Sequence, residues 1–211
     1  FEKDEAILAK AGSKLVFQIH YTPNGTEQQD RSYVGFVYAD SKDITKEVVG
    51  GTCGDPVLRI PPHEGNHKVT ARKLFLKETK LLGMNPHMHL RGKAFRYELE
   101  LPDGTREILL DVPRYDFNWQ LRYLFEQPKL MPKGTRVVCT AHFDNSPDNL
   151  ANPDPTKTIT YGDQTWEEMM FGFYTAIDPK QDLLQEAAGT ADNPAVAPAV
   201  EEKKTSAEST N

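Results

Sequence analysis

The chain has 211 residues, a formal net charge of -6, 38% hydrophobic and 27% charged residues. That is enough apolar content for a real core, in one large domain or two small ones. No basic patch is dense enough to suggest nucleic acid, and no apolar run approaches the length of a membrane span. With 15 prolines and 14 glycines the chain is rich in turns, which favours an all-β reading. The start at Phe1 rather than Met reads as a processed or cut chain. Cys53 and Cys139 are too few for a disulfide scaffold. One bridge between them and two free buried thiols both fit.

In chain order, residues 1–12 read as a helix or an arm. Residues 14–21 read as a strand, with Leu15, Phe17, Ile19 and Tyr21 alternating with Val16, Gln18 and His20. Pro23-Asn24-Gly25 turns the chain, and residues 31–39 read as the returning strand. The texture changes at Gly50-Gly51-Thr52-Cys53-Gly54, where a boundary is expected. A short strand over 57–60, a polar loop from Pro61 to His67 and an apolar run over 69–82 follow.

The most informative stretch is Pro86-His87-Met88-His89-Leu90-Arg91-Gly92. Pro86 opposes a helix. On a strand, side chains alternate faces, so His87 and His89 share a side with Cα atoms about 6.6 Å apart. Their imidazoles can converge on one metal, and Met88 points into a core. Arg91 reads as a partner for an anionic group or, preferably, a salt bridge at the rim. Residues 93–101 and 105–112 form a hairpin through Pro102-Asp103-Gly104, with Phe95, Tyr97, Leu99 and Leu101 on one face. The aromatic-rich segment from Val112 to Leu121 either lines a pocket or, preferably, plugs one end of a sandwich.

On the strand over 136–143, Val137, Cys139, Ala141 and Phe143 face the core and His142 the polar side. His142 is a rim histidine or stands near a metal. Asn149 to Pro155 is a loop. Met169-Met170-Phe171-Gly172-Phe173-Tyr174 reads on composition alone as core. Beyond Pro179, residues 181–188 fit one or two helical turns. Pro194, Pro198 and Glu201-Glu202-Lys203-Lys204 read as disordered or extended.

Several of these stretches together resemble the copper type II, ascorbate-dependent monooxygenases, the family of the peptidylglycine α-hydroxylating and dopamine β-type enzymes. The match is closest to bacterial members with the same His-Met-His-Leu-Arg-Gly form. It rests on residues 15–21, Ile60-Pro61-Pro62, residues 86–92, residues 136–146 and Gly162 to Phe173. The resemblance implies an antiparallel β-sandwich of jelly-roll type, preceded by part of a first domain. Residues 1–50 would be the incomplete end of that N-terminal copper domain, 56–178 the second copper domain, and 179–211 an extended or disordered tail. It implies copper held by His87, His89 and Met169, where C–H hydroxylation would occur. His20 falls where the family has one ligand of a second, electron-entry copper. The adjacent His-His pair that completes that copper is absent from the sequence, so no metal is expected at His20 in this chain alone. Met169 changes the donor chemistry, because two imidazoles with one thioether accept Cu(I).

The function that follows is hydroxylation of a small organic or peptide-like substrate, using O2 and an external reductant, in an extracellular or periplasmic location. Another chain or domain would supply the missing N-terminal part or hold the tail. The alternative is a copper-binding or structural β-sandwich module without turnover, in a larger assembly.

Overall fold

The computed structural model describes residues 1–191. Its strands in chain order are β1 (Glu5–Ala6), β2 (Lys46–Glu47), β3 (Val49–Gly54), β4 (Arg59–Ile60), β5 (His67–Leu74) and β6 (Thr79–His87). They continue as β7 (Gly92–Glu100), β8 (Arg106–Val112), β9 (Tyr123–Met131), β10 (Arg136–Phe143), β11 (Ile159–Thr160) and β12 (Phe171–Ile177), before helix α1 (Leu183–Ala191). Eight of these strands make two four-stranded sheets, ordered β5-β10-β7-β8 and β3-β12-β6-β9. Every pairing within the two sheets is antiparallel. The sheets pack face to face as a jelly-roll-like β-sandwich, each drawing its strands from distant parts of the chain. Two short pairs, β1 with β2 and β4 with β11, close its margins.

The alternation in the sequence sets which face is buried. On β10, Val137, Cys139, Ala141 and Phe143 are all buried, and on β7 so are Phe95, Tyr97 and Leu99. Met84, Met88, Met170 and Ala176 meet them from the other sheet in one continuous core. Each buried Val, Leu, Met or Phe side chain among them contributes about 1.5–3 kcal/mol relative to exposure. The β7–β8 hairpin closes as expected, with Gly104 at φ 85°, a conformation costly for other residues.

Three expectations need correction. Residues 14–21 and 31–39 form no strand. Val16 and Tyr33 are each 91% exposed. Alternation marks a segment that suits a sheet, but a strand also needs a neighbour for its amides and carbonyls. Among the described residues, no pairing involves these two runs. Second, β3 lies before residue 56, yet it is an edge strand of the sandwich, paired with β12. Third, the part after Pro179 is not extended from its start: the helical turns that residues 181–188 fit are present as α1. It docks on residues 45–47: Leu183 N–H donates to the Thr45 carbonyl at 3.0 Å, and Glu47 N–H to Gln181 Oε1 at 2.8 Å. The expectations for Pro194, Pro198 and the run at 201–204 fall outside the described residues. Cys53 and Cys139 are both buried, with their thiols free.

Candidate metal centre

Strand β6 ends at His87, and the chain keeps its alternation for two more residues. Met88 is fully buried in the core. His87 and His89 therefore take the opposite, outer face of the β3-β12-β6-β9 sheet. Their ring centroids are 5.2 Å apart at an interplanar angle of 82°.

Each ring has one nitrogen engaged by the protein. His87 Nδ1 lies 2.6 Å from Gln120 Oε1, and Gln120 Nε2 donates to the Phe117 carbonyl at 2.8 Å. That second bond turns the amide oxygen towards His87, so Nδ1 is the donor. His89 Nδ1 lies 3.3 Å from the Glu167 carbonyl, which can only accept. Both imidazoles are thereby held as Nδ1–H tautomers, with the lone pair on Nε2. Burial lowers the pKa of His87, against a smaller opposing effect of Gln120. Burial, followed by the His87 charge, lowers that of His89. Both effects favour the neutral rings that a metal requires.

The β12 strand fixes the phase of the two methionines. Phe171 pairs with His87, and Phe173 with Asn85. Met170 is fully buried, so alternation gives Met169 the outer face, on the side of Phe171 and His87. The pairing ends there, with Met169 two residues before Phe171 and His89 two residues after His87. Met169 is half-buried, whereas Met170 belongs to the core cluster.

What binds the two segments together is Glu168, fully buried. Its Oε2 accepts from the backbone N–H of His89 at 2.8 Å and of Met169 at 3.1 Å. Its Oε1 accepts from Arg91 N–H at 2.7 Å. Burial outweighs the three N–H donors and the Arg91 charge, which favour the charged form, and leaves this carboxyl raised to about 7. Arg91 is not at the rim: it is 1% exposed, and it donates to Asn145 Oδ1 and to the Trp166 carbonyl, both at 2.9 Å. Asn145 Nδ2 in turn donates to the carbonyls of Pro61 and Lys157. This knot ties four loops together, those between β4 and β5, β6 and β7, β10 and β11, and β11 and β12.

The aromatic segment after β8 does more than plug that end. Tyr115 Oη donates to the Met88 carbonyl at 2.7 Å and accepts from Met88 N–H at 3.0 Å, which pins the peptide between the two histidines. The Phe117 ring lies 6.2 Å from His89, and Phe173 lies 5.9 Å from His87.

His142 is not brought to the pair. It lies on the outer face of the other sheet, 3.1 Å from Asn66 Oδ1, lining a hollow of about 400 Å³ with Lys68, Lys93 and Arg96. The alternation along β10 gives its face correctly but not which sheet that face belongs to. His20 is exposed, and a charge there is felt by both His87 and His89.

No family model matches the chain, and no curated protein matches it. Among solved structures it is similar to the infectious bursal disease virus VP2 subviral particle, at TM-score 0.31 and 12% identity, over 68% of this chain and 36% of that one. It is also similar to the infectious bursal disease virus Gx strain structure, at TM-score 0.30 and 12% identity, over 68% of this chain and 37% of that one. The chain thus spans little more than a third of the length of either.

Among the described residues, no three His, Cys, Asp or Glu side chains gather to hold a metal. Gln120, Tyr115 and Glu168 carried no sequence signal for these roles, because each acts across the fold on a residue 27 or more positions away.

Proposed function

We propose that this chain is a copper-binding β-sandwich module working within a larger assembly, with His87, His89 and Met169 as metal ligands. The observation that carries the reading is the paired tautomer control: Gln120 Oε1 and the Glu167 carbonyl each accept from Nδ1. Metal-binding imidazoles commonly donate their second nitrogen in this way. The donor set of two imidazoles and one thioether suits Cu(I) better than a hard ion. Bound copper supplies one-electron redox chemistry. The residues around it hold the rings in one tautomer, keep them neutral and clamp the two ligand segments through Glu168. The larger assembly is supported by apolar side chains that this chain leaves uncovered. Trp119, Leu121, Trp166 and Phe173 are exposed, as are Leu15, Phe17, Ile19 and Val37.

A second reading, monooxygenase chemistry, is favoured by one feature: Phe117, Phe171 and Phe173 border the imidazoles or pair beside them. These rings offer an apolar seat for the C–H bond of a small organic or peptide-like substrate. O2 and an external reductant are then co-reactants, and an extracellular or periplasmic location accompanies the resemblance described above.

Copper-loaded protein assayed for oxygen uptake, with and without ascorbate, separates the two. Stoichiometric copper without reductant-dependent uptake supports the module reading, and uptake coupled to a hydroxylated product supports turnover. Failure to retain copper at all overturns both. Gln120→Leu removes the acceptor on His87 Nδ1 from a loop position. Copper affinity is expected to fall about 10–100-fold with the fold intact, as read by competition titration and circular dichroism.

A further inference from the structure

Against Gly172 of β12 lies a pair of cysteines with no part in the proposed metal centre. Cys53 stands on β3 and pairs with Gly172 of β12. Cys139 stands on β10, in the facing sheet, between Ala71 and Tyr97. A Cβ at position 172 would lie 2.5 Å from Cys139 Sγ and 3.1 Å from the Cys53 carbonyl oxygen. Glycine at 172 therefore leaves the space through which the Cys139 thiol reaches across the core. Cys53 Sγ is 3.5 Å from the carbonyl oxygen of Val137, two residues from Cys139 on β10, and both cysteines belong to the same core cluster. Both residues are buried, at 2% and 0% exposure.

Two cysteines that face the same core from opposite sheets, each beside Gly172, are the arrangement an inter-sheet bridge requires, since a disulfide forms only where the backbones already bring the two side chains together. We infer that Cys53 and Cys139 are a covalent cross-linking site, closed as a disulfide when the chain folds under oxidising conditions. Burial places the exchange before the sandwich closes. One cysteine thiolate attacks a low-molecular-weight disulfide, forming a mixed disulfide and releasing one thiolate. The other cysteine thiolate then attacks the protein sulfur of that mixed disulfide, forming the Cys53–Cys139 bond and releasing the second. The cysteines lose two protons and two electrons, and the reagent disulfide is reduced to two thiols. The closed loop contains β4 to β9 and the histidine pair, and the bridge staples β3 to β10 of the opposite sheet. This inference does not depend on the metal assignment.

The test uses the full chain, refolded in a buffer of oxidised and reduced glutathione, then denatured with an alkylating agent and weighed intact. The expected result is a monomer that takes up no alkyl group until it is reduced, and two afterwards, with a digest peptide joining residues 53 and 139. Two alkyl groups without prior reduction, or a disulfide-linked dimer, would overturn the inference.

Discussion

Glu168→Ala is expected to lower the free energy of unfolding by about 3–5 kcal/mol. The carboxylate is fully buried and accepts three backbone N–H groups, from His89, Arg91 and Met169. Alanine leaves all three donors without an acceptor and leaves the buried Arg91 charge without its nearby counter-charge. A domain's whole stability is about 5–15 kcal/mol, so the loss is severe. Glu168→Gln keeps the shape and one acceptor oxygen, but it sets an NH2 group against backbone donors. A loss of about 1–3 kcal/mol is expected. Urea denaturation of the copper-free proteins measures both. Equal stability of wild type and Glu168→Ala would show that the clamp contributes nothing.

His87→Ala and His89→Ala are each expected to weaken copper binding by at least two orders of magnitude, in both oxidation states. One imidazole and a thioether remain in either variant, too few donors for tight binding of a transition metal. The two variants differ in their effect on the fold. His87 touches Gln120 and Phe173 at the outer surface, so His87→Ala is expected to cost little stability. His89 is 4% exposed and packs on Phe117, so His89→Ala is expected to cost about 1–3 kcal/mol. Competition titration against a chelator of known affinity, with denaturation run in parallel, separates ligand loss from unfolding. Unchanged copper affinity in His87→Ala would remove that residue from the centre.

Much of the sandwich was legible because alternation is local. The core faces of β7 and β10 follow from the spacing of Phe95, Tyr97 and Leu99, and of Val137, Cys139, Ala141 and Phe143. The same rule separates His87 and His89 from Met88, and Met169 from Met170. It failed where the outcome depends on a distant partner. Residues 14–21 alternate as well as any strand in the chain, but no other segment among the described residues pairs with them. Arg91 was read as a rim residue because a charged side chain after a strand is usually solvated. Its burial depends on Asn145 and Trp166, 54 and 75 residues further on. His142 faces away from its own sheet's core as expected, but the sheet is the other one. Glu168 carries no local mark of its role, because its three partners assemble only when β6, β12 and the loop after His87 are in place.

X-ray absorption at the copper edge of the Cu(I)-loaded protein, set beside Met169→Ile, tests the central claim most directly. Isoleucine keeps the volume and apolar character of the side chain and removes only the thioether. The account predicts a sulfur scatterer at copper in the wild type that is absent in Met169→Ile, with Cu(II) affinity preserved better than Cu(I). A wild-type spectrum with nitrogen and oxygen neighbours alone, unchanged by the substitution, would contradict it.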